Sequence, residues 1–112
     1  MYSKLISAAS LFSLASAANM VVQVGQSGDS FTPDTVTAAI GDTVTFQFTG
    51  SRHSVLQSTF EDPCTYMTGG FSVPVQGSQA EFIVNVTTTD SLYFYCSVLG
   101  HCSSGMVGII NP

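Results

Sequence analysis

Charge is the scarcest property of this sequence. Asp, Glu, Lys and Arg make up 8% of its 112 residues, where about 25% is usual in a soluble domain; Gly, Ser and Thr carry the polarity instead. Positive charge is scarcer still, with two Lys and Arg against seven Asp and Glu and a formal net charge of −5. Gripping a phosphate backbone takes clustered Lys and Arg, so a nucleic-acid surface is excluded. An anionic membrane surface is excluded with it. Histidine occurs twice and cysteine three times. Two imidazoles cannot furnish a site that needs a larger set, and three thiols fall short of an iron–sulfur cluster. Long apolar runs are missing too: the one at the N terminus is broken by serines and shorter than the roughly 20 residues that span a bilayer. What remains is enough chain for one domain and not two, since a single core commonly takes about 100–150 residues.

The N-terminal run has a reading of its own. Residues 1–18, MYSKLISAASLFSLASAA, place Lys4 before an apolar stretch and end in Ala15, Ser16, Ala17 and Ala18. A basic start, an apolar centre and small residues at the exit describe a secretory signal peptide. Cleavage after Ala17 and after Ala18 are equally acceptable. The mature chain, 19–112, then keeps Arg52 as its only Lys or Arg. Export exposes it to oxidising conditions, where disulfides form and persist. No second apolar stretch follows, nor the spacer and tail that a lipid anchor needs. The expectation is a secreted, extracellular monomer, free or held in a cell wall, without a transmembrane segment. Asn85-Val86-Thr87 is the one glycosylation sequon, to be used if Asn85 faces solvent.

The mature part alternates like short strands. Val44, Phe46 and Phe48 interleave with Thr43, Thr45, Gln47 and Thr49, and Phe82, Val84 and Val86 with Glu81, Ile83 and Asn85. A period of two means one buried and one exposed face, which puts Asn85 outside. Other β-rich runs are Val21–Val24, Thr35–Ala38, His53–Gln57, Leu92–Val98 and Met106–Ile110, separated by Gly and Pro turn signals. No window shows a sustained helical period. The pattern predicts an all-β Greek-key sandwich or barrel, with one irregular loop over residues 60–77.

Chemistry concentrates in CSVLGHCSSGM, Cys96 to Met106. A thiol, an imidazole and a thioether recur at even intervals as Cys96, His101 and Met106, so one tight loop between strands can aim all three at a point. His53 is the only other histidine and opens a strand, where a side chain can project from the end. Two histidines, one cysteine and a weak methionine form the ligand set of blue-copper electron-transfer sites. Each residue alone has a plainer use: Met106 as core filler, Cys96 as a buried thiol, His53 as an edge residue. Their joint occurrence favours one copper. Cys102 follows His101 directly, so in extended backbone its side chain points the other way and can pair with Cys64. Zinc at Cys102 would strand Cys64 and lacks finger-like spacing. A Cys96–His101 catalytic pair has no orienting Asn or Asp near it in sequence.

Gly41-Asp42-Thr43-Val44-Thr45-Phe46, His53-Ser54-Val55, Phe60 to Cys64, Tyr95-Cys96, His101-Cys102 and Gly105-Met106 together resemble a phytocyanin-type cupredoxin, in particular the small extracellular cupredoxin-like proteins of fungi. The resemblance spans about Val21 to Pro112. The C-x4-HC-x3-M motif is its specific part; the GDTV turn and aromatic strands only support it. The resemblance implies copper ligands His53, Cys96, His101 and Met106, and a Cys64–Cys102 disulfide. Two positions depart from the family: no Ser-rich tail follows the domain, and Arg52 precedes the first ligand where a small polar residue is common. Arg52 either points to the site, favouring Cu(I), or faces water or pairs with Glu61 or Asp62.

The expected function is single-electron transfer by one mononuclear copper, without catalysis. Val98, Leu99, Gly100 and Val107 would ring His101 as an apolar docking patch for a transient redox partner, which the acidic balance would favour as cationic. The alternatives are a copper-buffering protein with no redox partner, and a cell-wall interaction module.

Overall fold

The computed structural model describes residues 16–112, so residues 1–15 of the expected signal peptide lie outside the described residues. Nine strands follow: β1 (Asn19–Val24), β2 (Phe31–Thr32), β3 (Thr35–Val36), β4 (Thr43–Phe48), β5 (His53–Ser58), β6 (Ser72–Gln76), β7 (Glu81–Asn85), β8 (Leu92–Tyr95) and β9 (Val107–Ile110). They form two mixed sheets, ordered β2-β1-β4-β7 and β3-β9-β8-β5-β6. β1 runs parallel to β4 and β3 parallel to β9, while the remaining pairs are antiparallel.

The alternation of the strands is what closes the sandwich. Val22 and Val24 of β1 and Val44, Phe46 and Phe48 of β4 are fully buried, facing Val55, Phe94 and Ile110 of the second sheet. Three aromatic rings bridge the layers edge to face. Phe94 stands 4.9 Å from Phe31 and 5.0 Å from Phe46, ring centre to ring centre. Gly108 is required beside them, because any Cβ there would collide with the Phe94 ring. On the outer face, polar side chains link strands in place of ion pairs: Gln23 Nε2 donates to Gln47 Oε1 at 2.8 Å, and Gln47 Nε2 to Glu81 Oε2 at 3.1 Å.

The irregular stretch is narrower than 60–77. Residues 72–76 form β6, which pairs with β5 at the edge of the second sheet. Pro74 breaks the sequence pattern, yet an edge strand tolerates a residue that cannot donate to the ladder. The loop that remains is tied down by the Cys64–Cys102 disulfide, which spans 38 positions. Asn85 is exposed on β7. No helix among the described residues is long and apolar enough to cross a membrane.

Candidate metal centre

Three connections converge at one end of the sandwich: the β1–β2 loop (25–30), the β4–β5 turn (49–52) and the β8–β9 loop (96–106). The β4–β5 turn is strapped to β1 because Thr49 and Gly50 N–H both donate to the Val24 carbonyl, at 3.0 and 3.2 Å. Gly50 and Gly25 are packed so closely that a Cβ on Gly50 would stand 2.7 Å from the Gly25 oxygen. Arg52 then adopts a left-handed conformation, φ 66°, strained for a side-chain-bearing residue. Immediately after it the β5–β6 register shifts between His53 and Val55. His53, Ser54 and Val55 are consecutively buried at this irregularity.

The β8–β9 loop closes on itself through its backbone. Cys96 N–H donates to the Met106 carbonyl at 3.1 Å and Met106 N–H to the His101 carbonyl at 3.0 Å. Cys96 and Met106 are both fully buried, and His101 is 18% exposed. The disulfide anchors Cys102, beside His101, to Cys64 in the 60s loop.

His53, Cys96 and His101 thereby bring one ligand atom each within 4.8 Å of one another. Among the described residues they are the one group of three or more His, Cys, Asp or Glu side chains able to hold a metal. Cys96 is the free thiol, with Sγ 3.4 Å from His101 Nδ1. Ser54 N–H donates to Sγ at 3.4 Å and the Ser54 hydroxyl lies 3.8 Å from it. That hydroxyl also accepts from Ser97 N–H at 2.7 Å and shares a 2.7 Å hydrogen bond with Ser97 Oγ. His53 Nδ1 is buried with no hydrogen-bond partner, a state that costs about 1–3 kcal/mol unless something ligates it. Burial holds the His53 pKa below its ordinary value; the charge of His101 acts in the same direction and Asp29 opposes it. A neutral imidazole keeps its lone pair. Two imidazoles and a soft sulfur match copper, whereas structural zinc asks for a fourth strong ligand.

Other sequence expectations sort out as follows. Arg52 is exposed and, among the described residues, pairs with neither Glu61 nor Asp62; the ion contact is instead His101–Asp29. Leu99 is 97% exposed and Gly100 is exposed beside it. Val98 is half-buried, packs on the core and lines a surface pocket with Leu99 and Gly100. Val107 lines a different groove from Leu99, together with Phe60, Tyr93 and Ile109. Ser54, Ser97, Gly25 and Asp29 escaped the reading from sequence, because their roles depend on contacts between segments distant in the chain. Only Ser54 carried a hint, its adjacency to His53.

A two-sheet sandwich with a His–Cys–His cluster positioned at one end for a single copper ion defines a cupredoxin. The chain belongs to the plastocyanin-like domain family, whose model matches residues 31–106. It is 36% identical over 109 residues to the probable GPI-anchored cupredoxin-1 of Arthroderma benhamiae, covering 96% of this chain and 59% of that one. It is 33% identical over 112 residues to an extracellular serine-rich protein of the same fungus, covering 95% of this chain and 44% of that one. The chain thus spans about half the length of these relatives. Among solved structures it superposes on a purple cupredoxin from Nitrosopumilus maritimus with TM-score 0.68, at 14% identity, over 81% of this chain and 96% of that one.

Proposed function

We propose that the protein is a secreted, non-catalytic carrier of single electrons, with residues 1–18 removed as a signal peptide. His53, Cys96 and His101 would hold the copper as strong ligands, with Met106 as a weaker fourth donor. The observation that carries this reading is the buried, unpartnered His53 Nδ1, set beside a thiol that already lies within 3.4 Å of the other imidazole. Copper bound there supplies a one-electron couple between Cu(II) and Cu(I).

The chain's own residues supply rigidity and exclusion of water. Ser54 fixes the sulfur through its N–H, Ser97 fixes Ser54, and the disulfide anchors the loop that bears His101. Cys96, Met106 and His53 are closed off from solvent. His101 is the ligand residue with the most exposed surface, and Leu99 and Gly100 beside it form the face for a transient partner. Such contacts bury under about 1,200 Å2. The acidic balance favours a cationic partner, and Asn85, exposed on β7, is available for a glycan.

Voltammetry of the copper-loaded protein tests the carrier role. Reversible cycling with rapid self-exchange is expected. Slow or irreversible redox together with very tight Cu(I) binding would mark a buffering protein instead.

A further inference from the structure

The β1–β2 loop backs both histidines. Gly25, φ +85°, lies so close to His53 that an added Cβ would stand 2.5 Å from Cδ2 and 2.7 Å from Nε2. Asp29 places Oδ1 3.6 Å from His101 Nε2. The loop is built to hold this position: Gly25 N–H donates to the Ser30 carbonyl at 3.0 Å and Ser30 N–H to the Gly28 carbonyl at 2.9 Å. In His101 the nitrogen facing the thiol is Nδ1. A ring that ligates through Nδ1 carries its proton on Nε2, and that N–H is what Asp29 faces. About half of the Asp29 side chain remains exposed, so the carboxylate meets the ring from the solvent side.

We propose that Asp29 is a positioning residue for the metal centre: its carboxylate restrains the His101 ring from the Nε2 side and, as a negative charge beside the ligand set, favours Cu(II) over Cu(I). The inference rests on the copper reading above. A carboxylate behind a metal-bound imidazole fixes the ring and makes it the better donor, and losing such a partner commonly costs 10–100-fold in metal affinity. The more highly charged ion gains more from a nearby anion. Asp29 should therefore act unequally on the two oxidation states, which a purely structural loop residue would not do.

The test compares wild type, Asp29→Asn, Asp29→Glu and Asp90→Asn at low ionic strength. Asp90→Asn removes the same unit of charge in the β7–β8 connection. Two quantities are read: Cu(II) and Cu(I) affinity by chelator competition, and reduction potential by voltammetry. Asp29→Asn should weaken Cu(II) binding about tenfold while Cu(I) binding changes much less. The potential should rise accordingly, a tenfold change in the affinity ratio being about 59 mV for one electron. Asp29→Glu should recover most of both, and Asp90→Asn should match wild type. If Asp29→Asn is indistinguishable from Asp90→Asn in a wild type that binds copper, the role of Asp29 is overturned alone. A wild type that takes up no copper overturns the copper reading and this inference with it.

Discussion

At the scale of single residues, the site depends on small side chains as much as on its ligands. Gly25 is the clearest case, since alanine there would need a left-handed backbone and would press its Cβ into the His53 ring. The backbone alone costs roughly 1–2 kcal/mol. Gly25→Ala should therefore lower stability by at least that much in urea unfolding and weaken copper uptake in a direct titration. A variant as stable and as well loaded as wild type would contradict the packing described. Ser54 is the second case. Its hydroxyl serves Ser97 N–H, Ser97 Oγ and the Cys96 sulfur together. Ser54→Ala leaves a Ser97 N–H without its partner, a loss of about 1–3 kcal/mol if no water replaces it. It should also shift the energy of the thiolate-to-copper absorption band. An unmoved spectrum would mean that the hydroxyl does not act on the sulfur.

The His53–Cys96–His101 cluster and the Cys64–Cys102 pair were legible in the sequence because they are matters of residue chemistry. Five His and Cys residues had to be shared between a disulfide and a metal, and the even spacing of Cys96, His101 and Met106 left few ways to do it. The structure sets Cys64 with Cys102 and His53 with Cys96 and His101. Gly25 and Asp29 were illegible for the opposite reason. Nothing near them in sequence marks them, and their meaning comes only when β1 is laid parallel to β4 and the β1–β2 loop is carried over the two histidines.

Among the elements, strands announced by alternating or β-rich runs were predictable, whereas β2 and β6 were not. β4 and β7 follow the alternating apolar pattern. β2 has two residues, too short for any pattern, and β6 contains Pro74. The register shift within β5 also follows no local rule. The long irregular loop after β5 earns its order from the Cys64–Cys102 bond. By chain entropy a crosslink over 38 positions contributes about 4 kcal/mol. Replacing both cysteines by alanine should reduce unfolding free energy by roughly 2–4 kcal/mol, and reducing wild type should have the same effect. No change in the urea midpoint would show that the loop is ordered by packing alone.

For the whole molecule, scarcity of charge gives each carboxylate that is used an outsized role. Asp42 sits at the entry to β4, and its two oxygens accept from Ala18 N–H at 2.9 Å and Ala39 N–H at 2.8 Å. The Ala18 bond, then the Ala39 bond, hold its pKa below the ordinary carboxylate value against the opposing effect of burial; cleavage after Ala18 would remove the first and leave the Ala39 bond acting in the same direction. The folded pKa thus lies under the unfolded one, so the contribution of Asp42 is complete above about pH 4 and fades as the pH falls through the folded value. Asp42→Asn should lower the unfolding midpoint at neutral pH and do so less at pH 2. An equal effect at both would remove Asp42 from the account of acid stability. Arg52 is the only Lys or Arg of residues 19–112 and is exposed just before His53.

The site centres on the Cys96 sulfur, gathered with two imidazoles. The most direct measurement is the visible spectrum of the protein loaded with one equivalent of Cu(II), beside that of Cys96→Ala. Wild type should be intensely coloured by charge transfer from the Cys96 thiolate to copper, and the colour should vanish in the variant. A pale wild type, or a Cys96→Ala variant that keeps the band, would contradict the site.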